Sequence, residues 1–258
     1  MEIYLLIGGL GLVTGFLSGL LGIGGGIILA PLLLYTPPIF GLDPLSMRIV
    51  AGLTIVQGLM GCLAGALTHR KFKFVSDKLT FWMGTSIFIA AIAGGAGARL
   101  VSNEALLFVF ACLAFFAAFL MLIPEKVNSE KPDVTVLTFS RFRAITTASG
   151  VGLLGGLVGQ GGSFILIPLM TSYVQIPTRI AIGSNLAIVL LSSLAGFIGK
   201  AATGQIQWLM TIPIALTVIP AASFGGYVSQ KIPVQGLRRL LAILIALAAC
   251  KMWHSFLF

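Results

Sequence analysis

The sequence predicts an all-α polytopic membrane protein. It reads as about eight hydrophobic segments in two repeats, the first and fifth broken by glycine clusters and the halves inverted. Three observations lead there. Of 258 residues, 58% are hydrophobic and 9% charged, with a mean hydropathy of +1.07; a soluble domain carries about 25% charged residues. The apolar residues form runs at about 4–35, 45–68, 79–100, 105–123, 142–173, 177–199, 205–229 and 234–257. The first and fifth runs share an unusual length and an unusual interruption.

Six runs are 19 to 25 residues long. At about 1.5 Å per residue each matches a hydrocarbon core of about 30 Å. The other two have 32 residues, and a straight helix of that length would reach about 48 Å. Both contain a glycine cluster followed by a proline: GLLGIGGGIILAPLL at 19–33 and GLVGQGGSFILIPLM at 156–170. Glycine disfavours a helix interior. The clusters are therefore expected to end one half-helix and begin another, turning free N–H groups and helix-end dipoles toward a shared cavity. A packing face is the competing reading, since Gly15–Gly19 and Gly22–Gly26 have GxxxG spacing.

The two broken runs align at an offset of 137. Gly15, Gly19, Gly22, Gly24, Gly25 and Pro31 meet Gly152, Gly156, Gly159, Gly161, Gly162 and Pro168. Beyond the next loop the offset becomes 131. Arg48 then meets Arg179, Gly52 meets Gly183, Gly65 meets Gly196, and Gly94-Gly95 meet Gly225-Gly226. The expected organisation is a first transmembrane repeat at 1–123, a polar linker at 124–141 and a second repeat at 142–258. If each broken run returns to the side it entered, the halves are inverted. One side then collects twelve Lys and Arg, around 70–78, 126–143, 179 and 231–239, and the other keeps Arg48, Arg99, Lys200 and Lys251. The positive-inside rule favours this over simple crossing.

The net charge of +9 follows from these basic loops and is no sign of nucleic-acid binding. Cys62, Cys112 and Cys250 lack pairing or metal-ligand spacing. No GK[ST] follows the glycines, which argues against a phosphate loop and ATP drive. The acids are Glu2, Asp43, Asp77, Glu104, Glu125, Glu130 and Asp133, none deep in an apolar run. That argues against a cation pathway built on carboxylates. With two histidines, both near run ends, an intramembrane enzyme has no catalytic set, and no cofactor is expected.

An anion held in the membrane needs N–H donors, hydroxyls, amides or arginine. The candidate substrate-binding residues are Gly24, Gly25, Gly26, Gln160, Gly161, Gly162 and Ser163 at the breaks. Thr54, Gln57, Ser184 and Asn185 join them from the following helices, with Arg48 and Arg179 at those helices' starts. Interhelical hydrogen bonding for the amides and interfacial snorkelling for the arginines are the structural alternatives. His69 and Lys200 also match by repeat and read as interfacial caps at helix ends. Trp82, Trp208 and Trp253 read as headgroup anchors.

The pieces GFLSGLLGIGGGIILAPLLL (15–34) and GLLGGLVGQGGSFILIPLM (152–170), with MRIVAGLTIV (47–56) and TRIAIGSNLAIV (178–189), resemble the TauE/SafE sulfite exporter family over essentially the whole chain. The resemblance implies a permease for a small, typically sulfur-containing anion such as sulfite or a sulfonate. GIGGG in one half faces GQGGS in the other, a departure from two-fold symmetry. The expected function is a secondary transporter or facilitator in the cell membrane, of bacterial inner-membrane type. It would work by alternating access, with the bilayer and a small anion as partners and homo-oligomerisation left open. A carrier of another solute or a metal cation, or a non-transporting assembly subunit, stays as the alternative.

Overall fold

The computed structural model describes residues 2–122, 133–134, 137–158, 164–202, 204 and 206–257. Among them the chain is helical, with ten α-helices: α1 Glu2–Leu21, α2 Gly26–Ile39, α3 Met47–Lys71, α4 Asp77–Gly97, α5 Asn103–Leu122, α6 Arg141–Val158, α7 Leu166–Leu169, α8 Thr178–Ala202, α9 Trp208–Ser229 and α10 Val234–Leu257. The first over-long run is two helices, α1 and α2, parted at residues 22–25. The fifth gives α6 and α7, and α7 continues as a π-helical turn, Met170–Val174; its glycine cluster at 159–163 lies outside the described residues. Among the described residues, five helices are long and apolar enough to cross a bilayer alone: α1, α3, α4, α8 and α9. α2 is apolar but has only 14 residues, about 21 Å of helix.

The register of close contacts sets the helix directions. Along α1, a Cβ on Gly8 would touch Pro213, one on Gly15 Val218 and one on Gly19 Ala222. The numbers rise together, so α1 and α9 are parallel. α3 runs the same way, because Gly61 faces Val218 and Gly226 faces Thr68. Gly152 meets Ile87 and Gly156 meets Ala91, so α6 and α4 are parallel too. Gly65 faces Leu186 while Gly196 faces Ile55, which makes α3 and α8 antiparallel. α8 in turn runs with α4, as Ser76 and Phe74 meet residues 184 and 183 while Gly84 meets Leu191. Thus α1, α3 and α9 point one way, and α4, α6 and α8 the other. Since α1 and α3 are parallel, the chain between them turns back.

Two glycine seams permit this arrangement. A side chain on Gly19 would lie 1.9 Å from the Ala222 carbonyl, and one on Gly156 would lie 2.4 Å from that of Ala91. From the opposite faces, Gly225 approaches Phe16 and Gly94 approaches Leu153 through backbone. In lipid, where helix association gains little from apolar burial, such backbone approach supplies the dispersion contact. α3 and α8 sit between the seams, and more of each is buried than of α1, α4 or α9.

Candidate functional site

The first glycine break is built on left-handed backbone. Gly22 and Gly25 have φ of 72° and 79°, a region that L side chains adopt only with strain. α1 closes with Gly22 donating its N–H to the Ser18 carbonyl at 2.8 Å. α2 then starts from Gly25 without a side-chain cap. Gly24, Gly25 and Gly26 are all buried.

Two amides close on this break. Asn185 of α8 donates its Nδ2 to the Gly22 carbonyl. Gln57 of α3 lies so close to Gly25 that a Cβ there would sit 2.0 Å from Nε2. Both side chains are fully buried. Among the described residues, both polar atoms of Gln57, Oδ1 of Asn185 and Oγ of Ser18 have no hydrogen-bond partner. Buried polar groups left unpaired cost about 1–3 kcal/mol each, and their gathering around one backbone break makes it the candidate site. Its donors and acceptors are neutral.

The other sequence candidates are placed differently. Thr54 is buried and donates to the Ala51 carbonyl of its own helix. Ser184 accepts from the Ser76 N–H at 2.9 Å, fastening α8 to the start of α4. Arg179 is buried and donates to the carbonyls of Ser229 (3.3 Å) and Ile232 (2.9 Å), with its guanidinium over the Phe74 ring. Arg48 is exposed at the start of α3, within electrostatic reach of Lys200. Gln160, Gly161, Gly162 and Ser163 lie outside the described residues.

Two residues in or packed on the last turn of α1, before the break, were not singled out from sequence. Ser18 is fully buried against Gly61. His69, read as an interfacial cap, is instead 2% exposed, with Nε2 2.9 Å from the Gly19 carbonyl. A signal for it existed. Gly58, Gly61, Gly65 and His69 follow at steps of three and four, which puts the histidine on the glycine face of α3.

The comparisons with known proteins place the chain in a family. Residues 7–252 match the family model described as sulfite exporter TauE/SafE. Among relatives, the probable membrane transporter protein YunE of Bacillus subtilis is 23% identical, covering 96% of this chain and 97% of its own length. A probable membrane transporter protein of Haemophilus influenzae is 25% identical, over 94% and 95%. Another from Methanocaldococcus jannaschii is 24% identical, over 91% and 90%. No solved structure matches the chain. Long apolar helices, a broken first segment and a match across nearly the full length make this integral membrane protein a transporter of the TauE/SafE family.

Proposed function

We propose that the chain is a secondary transporter or facilitator of a small anion, a sulfur-containing oxyanion or sulfonate, bound at the glycine-broken helices. The observation that carries this reading is the set of buried, unpartnered amide and hydroxyl groups of Gln57, Asn185 and Ser18 around the left-handed turn at 22–25. Neutral donors and backbone N–H groups suit an anion that must also be released. A metal cation would want carboxylates, and none of the seven acids lies deep in an apolar run.

The two halves act as inverted repeats, residues 1–123 and 142–258 about a linker at 124–141. The opposed directions of α1 and α6 support this, as does the matched pairing of Gly19 with Ala222 and of Gly156 with Ala91. Alternating access is then a rocking of one half against the other along the glycine seams.

The test is thermal unfolding of the detergent-purified protein with sulfite, thiosulfate, sulfate, sulfoacetate, taurine, phosphate and chloride. A ligand at about 100 times its Kd stabilises the folded state by about 2.7 kcal/mol. A sulfur anion should raise the melting temperature, and Asn185→Leu or Gln57→Leu should abolish the rise. No rise with any anion, together with no anion flux in proteoliposomes, overturns the reading.

A further inference from the structure

We propose that His69 carries a proton during transport, so that anion movement is coupled to a proton gradient; this rests on the anion-transport reading above. The assignment begins with the tautomer. Nε2 of His69 contacts the Gly19 carbonyl at 2.9 Å. A carbonyl only accepts, so Nε2 carries the hydrogen and the neutral ring's lone pair lies on Nδ1. Nδ1 is buried and has no partner among the described residues. A basic atom is thus held inside the protein with nothing on it, while the other nitrogen anchors the ring.

The anchor ties the ring to the site. Gly19 lies one turn before Gly22, whose carbonyl holds Asn185. Any motion that reorients the break between the two sides of the membrane moves the carbonyl that His69 grips. The chain has only one other histidine, His254, close to the C-terminus. The position matching His69 at the end of α8 is Lys200, so the imidazole is not repeated there.

The groups facing His69 come from four directions. α8 brings Arg179, the charged side chain within electrostatic reach. α1 presents the Gly19 backbone and α9 presents Gly226. The turn after α3 presents the Phe74 ring, 6.4 Å away between centroids. On its own helix, Arg70 is paired with Asp77, and Lys71 reaches Tyr227 of α9. Asp77, the carboxylate among these neighbours, is exposed and held by Arg70. The step balances without a co-reactant: Nδ1 binds H⁺ from water on one side, giving an imidazolium protonated on both nitrogens. It returns H⁺ to water on the other side after the bound anion has moved.

The experiment uses proteoliposomes of the full chain with the membrane potential clamped at zero, and sulfite and sulfoacetate as probes. With one proton carried per anion and no membrane potential, a pH gradient of one unit drives about tenfold accumulation whatever the anion's charge. Wild type should accumulate at least one probe. His69→Gln keeps an amide donor for the Gly19 carbonyl but has nothing to protonate. It should retain downhill flux and lose accumulation. Wild type that moves anion with no response to the pH gradient overturns the coupling and leaves transport standing. So does a His69→Gln protein that accumulates normally, or one that melts like wild type yet loses downhill flux. Wild type that moves neither probe, with no anion of the thermal panel bound, removes the transport reading and this proposal with it.

Discussion

α3 and α8 are built alike and end up differently. Each has 25 residues, with arginine at its second position and a basic residue two before its last. They cross antiparallel at the centre of the molecule. Yet Arg179 is buried on two carbonyls at the end of α9, while Arg48 is exposed. His69 grips the end of α1. At that end of the molecule α1, α3, α8 and α9 are knitted together by polar bonds, and the glycine break lies beneath the knit. The lesson is that positions matched by sequence in α3 and α8 need not share an environment. At one end Arg179 and His69 tie the helices through backbone carbonyls, while Arg48 at the other end is exposed.

The largest expected effect comes from breaking the frame that holds both helices. Gly19→Leu and Gly156→Leu push a side chain into a facing carbonyl. Each should cost about 3 kcal/mol or more, read as loss of the monodisperse protein or a large drop in melting temperature. Gly9, with nothing within 4 Å, is the control: Gly9→Ala should be neutral or stabilising by up to about 1 kcal/mol. If the two seam variants behave like the control, the seams do not hold the fold.

Next in size is the pair of arginines. Arg179→Met removes charged hydrogen bonds to two carbonyls and should cost about 2–3 kcal/mol. Arg48→Met should stay within about 0.5 kcal/mol. Equal losses in thermal unfolding would erase the contrast between the two ends.

The smallest effects sharpen the contrast within the site. Gln57→Leu removes a buried amide that has no partner and should leave the ligand-free protein unchanged or up to about 1 kcal/mol more stable. Asn185→Leu breaks the bond to the Gly22 carbonyl and should cost about 1–2 kcal/mol. Opposite signs in ligand-free melts would separate a waiting ligand group from a structural one.

Much of the membrane architecture was legible because hydropathy and length speak directly about spans. The split of run 4–35 was legible in GIGGG for the same reason, as backbone that cannot sit as one helix in lipid. The partners of those glycines were not. A glycine face fits any other smooth helix, so nothing in GLVTGFLSG names α9 rather than α3 as its neighbour. The amides could be chosen as polar residues in apolar runs, but not sorted. Only three-dimensional placement separates Gln57, against the break, from Thr54, bonded within its own helix. His69 was missed because a residue near the end of an apolar run reads as interfacial, and burial there depends on α1 and α9, which come from distant sequence.

The parallel seam of α1 and α9 also sets a problem in time. α9 begins at residue 208 and α1 ends at residue 21. At about 5–20 residues per second, roughly 10 to 40 s of synthesis separate them. Through that interval the bare glycine stripe of α1 faces lipid or whatever chaperone shields it. Biogenesis therefore cannot finish one half before starting the other. α1, made well before α9, is among the last helices to find its place.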